Sequence, residues 1–169
     1  VFKSITDQFV GKLNYIKVNT GKLSVGDSFV NKTAEKSEKA GALYLIKGKK
    51  QETISELYAG DIGALAKLVY TSTNDTIADS SYNIVYEQIK FPEPVLSLAV
   101  GAAKSGDEEK IIQGLIKMQE EDMTFKVEKN VETGDILISG LGEAQLDIMC
   151  KRVKNKFGVE AKLSDPKVA

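Results

Sequence analysis

The stretch ISGLGEAQLD, residues 138–147, joins a strand pattern to a helix pattern through two closely spaced glycines. Loops of this form bind phosphates in many nucleotide-binding proteins. A dinucleotide fingerprint needs a third glycine, however, and a P-loop needs Gly-Lys-Ser/Thr after a longer spacer. Neither motif occurs in the chain, and Glu143 would repel a phosphate bound at the start of the helix. The stretch therefore predicts a tight strand-to-helix turn and not a nucleotide site.

The residues after this turn predict a helix that runs to Phe157 and ends at Gly158. At about 100° per residue, one face of this helix is apolar and is predicted to contact the core: Leu146, Met149, Cys150, Val153 and Phe157. Cys150 is accordingly predicted to be a buried small hydrophobe and not a reactive thiol.

The opposite face of the same helix is a candidate contact surface, since it combines an apolar side chain with polar ones. It carries Gln145, Ile148, Arg152 and Asn155. Lysines add positive charge around the remaining circumference: Lys151, Lys154 and Lys156. A single exposed isoleucine and a solvated basic face explain these residues slightly better than a contact surface does.

Upstream of the glycine turn, the pattern predicts a strand over Val95–Val100 and a helix that opens at Asp107. This helix has a buried stripe at helical spacing: Ile111, Ile112, Leu115 and Met118. A strand containing Phe125 and Val127 follows, then a hairpin turn at 132–135 and the strand Ile136–Ile138; Val159–Leu163 is the last strand. The order β-α-β-β-α-β predicts a ferredoxin-like fold.

The first half of the chain has a different pattern, with short β-rich runs separated by glycine and Asn/Asp/Ser/Thr turns. Six strands are predicted: Val1–Ile5, Lys12–Asn19, Ser28–Asn31, Gly41–Ile46, Ile62–Val69 and Tyr82–Ile89. This regular spacing predicts a small β-barrel or sandwich. The run Ile62–Ala66 is apolar on both faces and mostly small, which is typical of a central strand.

Two of the three prolines lie in the segment 90–95, KFPEPV, which predicts a stiff joint. The predicted domains are therefore residues 1–90, a barrel whose first strand is truncated, and residues 91–169, a ferredoxin-like domain. The fold class is a two-domain β plus α/β protein.

A lysine cluster lies in a predicted loop of the first half, at Lys47, Lys49 and Lys50. A solvated turn explains it most simply. Because lysines on a glycine-containing loop can also follow a sugar-phosphate backbone, the three are candidate RNA contacts as well. The nearby Glu52 weakens that alternative.

Composition excludes several classes of site. The chain of 169 residues has no histidine and one cysteine, which excludes intrachain disulfides, His/Cys zinc sites and Cys-His or Ser-His-Asp catalysis. The net charge of −1 gives no overall attraction to nucleic acid or to an anionic membrane. No apolar run approaches the roughly 20 residues of a membrane helix and no signal peptide is visible, so a cytoplasmic location is expected.

An ordered set of motifs resembles the second and third domains of bacterial translation elongation factor G. The motifs are GKLSVGD (21–27), YAGDIGAL (58–65), TNDTIAD (73–79), FPEPV (91–95) and EEDMTFKVEKNVETGDILISGLGE (120–143). The resemblance covers essentially the whole chain. It implies a translation-factor β-barrel followed by a ferredoxin-like domain.

The resemblance also implies a function. Members of this family are ribosomal translocases that use GTP and magnesium to move transfer and messenger RNA, and these two domains contact the ribosome and relay the nucleotide state. The implied partners are small-subunit ribosomal RNA and protein, together with the GTPase and tail domains of a longer parent; no membrane is implied. The chain has no P-loop or switch segments, so it is expected to be a non-catalytic fragment without cofactor or metal of its own.

The implied site residues form two groups. Candidates for ribosome contact are Lys47, Lys49, Lys50, Lys151, Arg152, Lys154 and Lys156. Candidates for the interdomain relay are Ser139, Gly140, Leu141, Gly142, Glu143, Gln145 and Ile148.

The chain departs from the family pattern at two places, 144–147 and 46–49, where AQLD and IKGK replace the usual Leu-His-Leu-Glu and a Met-His-Ala-Asn type loop. Both the main translocase and a divergent paralogue therefore fit. Three other classes stay open: a ribosomal-protection tetracycline-resistance protein, a stand-alone RNA- or metabolite-binding module, and a small enzyme using the carboxylates Glu120, Glu121 and Asp122.

Overall fold

The computed structural model describes residues 1–7 and 9–167. The chain divides into two compact units, Val1–Ile89 and Lys90–Ala169. The first is built of strands and the second of strands and two helices. No helix among the described residues is both long and apolar enough to cross a membrane.

The described residues of the first unit form ten short strands in three sheets. The strands are β1 (Lys3–Asp7), β2 (Gly11–Lys17), β3 (Lys22–Ser24), β4 (Ser28–Asn31), β5 (Lys36–Lys39), β6 (Leu43–Lys47), β7 (Lys50–Ile54), β8 (Glu56–Tyr58), β9 (Ile62–Ala66) and β10 (Ile77–Ala78). The five-stranded sheet has the order β1-β2-β9-β6-β7, a three-stranded sheet has the order β10-β4-β5, and β3 pairs with β8.

The five-stranded sheet curls until its two edges meet. Gln51 on edge strand β7 donates a hydrogen bond from Nε2 to Asp7 Oδ2 on the opposite edge strand β1, at 2.8 Å. This contact and the enclosed core agree with the predicted β-barrel.

The core of the barrel explains why β9 is small and apolar. Strand β9 pairs with β2 on one side and β6 on the other. A Cβ atom at Gly63 would lie 2.5 Å from Leu57 Cδ1, so only glycine fits there. The main buried cluster is Ile16, Phe29, Ala40, Leu43, Leu57, Leu65 and Leu68. The prediction that Ile62–Ala66 is a central strand is confirmed.

One of the six predicted barrel strands is wrong. Residues 82–89 form no strand. The backbone N–H of Tyr86 donates to Thr76 Oγ1 at 3.0 Å, and that of Ile89 donates to Asn74 Oδ1 at 3.0 Å. These backbone groups are bound by side chains and not by a neighbouring strand, although the apolar alternation of the segment is strand-like.

The second unit has the predicted β-α-β-β-α-β order. Its elements are β11 (Leu96–Ala102), α1 (Glu108–Glu121), β12 (Lys126–Lys129), β13 (Ile136–Gly140), α2 (Glu143–Phe157) and β14 (Ala161–Ser164). The four strands form one antiparallel sheet with the order β12-β13-β11-β14. The ferredoxin-like prediction is confirmed.

Apolar side chains of the two helices and of one sheet face form the core of this unit. Leu98, Ile138 and Val127 are cross-strand partners on that face. The helices contribute the buried residues Ile111, Leu115, Met118, Leu146, Met149 and Val153. Gly158 ends α2 in a left-handed conformation, as expected, with φ of 71°.

The predicted N-cap of α1 needs correction. Asp107 occupies the N-cap position, but its side chain makes no capping hydrogen bond. The carboxylate of Glu108 instead accepts a bond from the backbone N–H of Gly106 at 2.8 Å. The acidic residues of this turn still lie where the helix dipole favours negative charge.

Candidate functional site

The glycine turn after β13 is closely packed against the first turn of α2. A Cβ atom at Gly140 would lie 2.6 Å from Gln145 Oε1 and 2.8 Å from Leu146 Cδ2. Since Leu146 is fully buried, only a glycine allows the strand to pass so near the helix. The stretch therefore forms a tight, closely packed strand-to-helix turn, as predicted.

Gln145 holds this turn to two other segments. Its Oε1 accepts a hydrogen bond from the backbone N–H of Leu141 at 2.6 Å. Its Nε2 donates to Asp122 Oδ2 at 2.9 Å and to Thr124 Oγ1 at 2.7 Å. One side chain thus connects the glycine turn, the end of α1 and the residues before β12. We call Gln145, Asp122, Thr124 and Leu141 the Gln145 network.

The prediction that Gln145 lies on an outward face of α2 is wrong. The side chain is partly buried, and its amide is fully used inside the unit. Helical spacing places it opposite the core stripe, but the end of α1 and the glycine turn cover that position.

Asp122 is the charged member of this network. Burial raises the pKa of its carboxyl, but hydrogen bonds from Thr124 and Gln145 and the positive charge of Arg152 outweigh burial and leave the pKa below its ordinary value. Asp122 Oδ1 accepts from Thr124 N at 2.9 Å and from Thr124 Oγ1 at 2.6 Å. The carboxylate is therefore ionised and engaged at neutral pH.

The remaining relay candidates divide between buried and exposed positions. Ser139 is buried, and its hydroxyl is 2.7 Å from that of Ser97. Leu141 is 43% exposed and Ile148 49% exposed, and Glu143 is also exposed. Leu141 is bound to Gln145 through its backbone, and Ile148 lies further along α2. This end of the unit therefore exposes two apolar side chains, Leu141 and Ile148, together with the charged Glu143, and Arg152 lies one turn beyond Ile148.

The basic candidates on α2 are not equivalent. Lys154 is 2.8 Å from Glu160, and Lys156 is 2.7 Å from the mostly buried Glu121. Lys151 and Arg152 are exposed. Lys151 and Arg152 are thus the better placed of the four for an external anion, while Lys156 mainly ties α2 to α1.

The lysine cluster of the first unit lies at the β6–β7 hairpin. Lys47 and Lys50 are register partners across it, so the predicted loop is only the two-residue connection between these strands. Lys47 forms an ion pair with Glu52 at 2.9 Å. Lys49 and Lys50 are exposed, and within residues 1–7 and 9–167 neither has an ion-pair partner.

The carboxylate run 120–122 does not form an independent site. Glu121 pairs with Lys156, and Asp122 belongs to the Gln145 network. Among the described residues, no three His, Cys, Asp or Glu side chains come together as a metal-binding group. Glu121 and Asp122 thus connect the end of α1 to α2.

Two protein families match the chain, in the order of its two units. The family described as Elongation factor G domain 2 matches residues 1–80. The family described as Elongation Factor G, domain III matches residues 91–165. The chain belongs to the elongation factor G family.

Curated relatives of the chain carry the same name. It is 41% identical to Elongation factor G of Hyphomonas neptunium over 99% of its length, and 42% identical to that of Ruegeria sp. strain TM1040 over the same share. The chain spans 24% of the length of each of these relatives. A crystal structure of a protein from Thermus thermophilus matches with a TM-score of 0.81 and 28% identity, over 98% of the chain and 25% of that protein.

Sequence reasoning did not single out Phe9, which lies in the turn between β1 and β2 and is 95% exposed. The available signal was its position between two predicted strands, Val1–Ile5 and Lys12–Asn19, with the turn residues Asp7 and Gly11 on either side.

Proposed function

We propose that the chain is the ribosome-contacting and relay part of a translational GTPase of the elongation factor G family. Residues 1–90 and 91–169 act as its two domains. GTP and magnesium are bound by another part of the longer protein, which works in the cytoplasm without a membrane partner. The observation that carries this proposal is the ordered pair of family matches over residues 1–80 and 91–165.

The proposed ribosome contacts are the exposed lysines of the β6–β7 hairpin and the basic end of α2. Lys49, Lys50, Lys151 and Arg152 are exposed and suit the sugar-phosphate backbone of small-subunit RNA. Lys47, Lys154 and Lys156 each have a carboxylate partner, so they contribute less net charge. The chain as a whole has a charge of −1, so binding depends on these local groups.

The proposed relay acts through the Gln145 network. The surface formed by Leu141, Glu143 and Ile148 receives the GTPase domain, and Gln145 fixes the glycine turn that presents it. Because the same amide bonds Asp122 and Thr124, a displacement of the turn is passed to α1 and β12. Rigid, packed elements transmit such displacements between sites.

The experiment that tests the proposal is cosedimentation of the chain with purified small ribosomal subunits at several salt concentrations. Binding should be weak and should fall as salt rises, because lysine–phosphate contacts release counterions. Replacing Lys49 and Lys50 by glutamate should weaken binding further. Lys162, which is exposed on the last strand, gives a matched control when it is changed to glutamate. Absence of binding at the lowest salt would overturn the proposal.

A further inference from the structure

Residues 82–89 lie beside the barrel but belong to none of its sheets, and we call them the strap. Every residue from 81 to 90 is exposed, and a cavity of about 470 Å³ lies between side chains of the strap and those of the barrel. Within residues 1–7 and 9–167, the backbone N–H groups of 83–85, 87 and 88 have no hydrogen-bond partner. Neither sheet pairing nor close packing therefore holds the strap to the barrel.

Two side chains of one barrel loop hold the strap instead. Asn74 Nδ2 donates to the backbone carbonyl of Ile89 at 2.9 Å, and Asn74 Oδ1 accepts from the backbone N–H of Ile89 at 3.0 Å. Thr76 Oγ1 accepts from the backbone N–H of Tyr86 at 3.0 Å. The Asn74 amide thus satisfies both backbone groups of Ile89, as a neighbouring strand would. We call this pair of bonds the Asn74 latch.

The loop that carries the latch is fixed to the barrel. Asp75 Oδ2 accepts a hydrogen bond from Nδ2 of the buried Asn31 at 2.7 Å. The backbone N–H of Lys32 donates to the carbonyl of Thr76 at 2.8 Å. Asn74 has a left-handed backbone with φ of 78°, which asparagine adopts more readily than most residues. The barrel side of the latch is therefore rigid, and the strap is the side that can be released.

The latch lies at the end of the first unit. Ile89 is the last residue of that unit. In the second unit, the backbone N–H of Val95 donates to the carbonyl of Gly140 at 2.9 Å. Five residues, 90–94, lie between Ile89 and Val95, and two of them are prolines, which stiffen the chain. The latch therefore defines where the joint between the two units begins.

We propose that the Asn74 latch is a conformational device that sets the length of this joint. When the latch is closed, the joint consists of residues 90–94. When it opens, Tyr86 becomes the last residue held to the barrel, and residues 87–89 join the joint. Three added residues extend its reach by about 10 Å.

Opening is accessible because the two bonds of the latch lie at exposed positions, where water replaces them at a small net cost. Neither unit has to unfold. The device goes beyond the proposed function, since it requires neither ribosome contacts nor a relay of the GTP state.

Amide hydrogen exchange of the whole chain, followed by NMR, tests the latch directly. Asn74→Gly removes both bonds, and glycine accepts the left-handed backbone without strain. The Ile89 amide should then exchange about tenfold faster than in the wild type, the effect of losing its hydrogen bonds. The Val18 amide, bonded to the carbonyl of Asp61 in the barrel at 3.0 Å, should keep its protection.

Cleavage by endoproteinase Lys-C after Lys90 tests the length of the joint. The rate should rise about tenfold in Asn74→Gly, because cleavage follows the population of the released chain. Asn83→Gly is the matched control: Asn83 lies in the strap, is exposed and makes no side-chain hydrogen bond to any described residue. Its exchange and cleavage rates should equal those of the wild type.

A second variant separates the two attachments of the strap. Thr76→Val removes the acceptor of the Tyr86 amide but leaves the Asn74 latch in place. Exchange of the Tyr86 amide should become faster, while exchange of the Ile89 amide and cleavage after Lys90 should not change. Circular dichroism should show that each variant is folded.

Three outcomes would overturn the inference. Equal exchange of the Ile89 amide in Asn74→Gly and the wild type would show that the latch holds nothing. Faster exchange with unchanged cleavage after Lys90 would show that the latch does not set the joint. Loss of protection at Val18 as well would make Asn74 a part of barrel stability and not a local latch. Failure of the wild type to bind small ribosomal subunits would overturn the proposed function alone.

Discussion

Replacement of Gln145 by alanine removes three hydrogen bonds at once. Bonds between neutral groups contribute about 0.5–1.5 kcal/mol each and bonds to a charged group about 1.5–3 kcal/mol. Gln145 makes two of the first kind, with Leu141 and Thr124, and one of the second, with Asp122. Because Leu141 is 43% exposed, water replaces part of this loss. We therefore expect Gln145→Ala to lower the free energy of unfolding by about 2–4 kcal/mol.

Urea unfolding followed by circular dichroism at 222 nm measures this loss in the relevant unit, because both helices of the described residues lie there. With a slope of about 2 kcal/mol/M, the middle of the usual range, the urea midpoint should fall by about 1–2 M. Gln113→Ala is the matched control: Gln113 is an exposed glutamine on α1, and its replacement should change the free energy by less than about 0.5 kcal/mol. If both variants unfold alike, the Gln145 network does not hold the unit together.

Further predictions concern the same unit. Gly140→Ala should lower the free energy of unfolding by about 1–3 kcal/mol through overpacking. Gly101→Ala should change it little, because no atom lies within 4 Å of a Cβ at that position. Equal urea midpoints for the two variants would refute the close approach of strand and helix at Gly140. Because the folded-state pKa of Asp122 is lowered, its stabilisation is present above the unfolded-state pKa of about 4 and is lost as pH falls through the folded-state pKa. The free energy of unfolding of Asp122→Asn should therefore fall less steeply with decreasing pH than that of the wild type. Equal slopes for the two proteins in an acid titration would contradict this. Burial, aided by the charge of Asp147, raises the pKa of the Cys150 thiol to about 11. Iodoacetamide at pH 8 should therefore alkylate the native thiol about 100-fold more slowly than the thiol of the urea-unfolded chain. Equal alkylation rates would show that the native protein has an accessible thiolate.

The second unit was predictable because its elements are long and periodic. The buried stripes of α1 and α2 follow helical spacing, and Gly158 ends α2 in the left-handed conformation that glycine favours. Once the order of strands and helices is known, few arrangements of the strands in one sheet are possible, because connections are short and do not cross. Asp107 shows the limit of this reasoning, since residue type indicates a cap but not whether its side chain is turned toward the helix.

The barrel was predicted less completely because several of its strands are short and polar. Strands β5 and β7, KSEK and KQETI, are mostly exposed and lack the apolar alternation that marks a strand. Residues 82–89 have that alternation but lack a partner strand. Pairing depends on residues distant in sequence, and local pattern does not report it.

The turn and the helix that carry the candidate residues were predicted from sequence spacing, but the contacts of those residues were not. The inward direction of the Gln145 side chain could not be predicted from spacing. It results from hydrogen bonds to Asp122 and Thr124, which lie more than 20 residues away in the sequence.

The central claim, that this chain passes a signal to a GTPase carried elsewhere in the longer protein, is tested most directly by GTP turnover of that protein with Gln145→Ala. The claim predicts that turnover stimulated by ribosomes slows, that intrinsic turnover without ribosomes stays nearly unchanged, and that Gln113→Ala matches the wild type in both. Equal ribosome-stimulated rates for Gln145→Ala and the wild type, with the variant folded at the assay temperature, would contradict it.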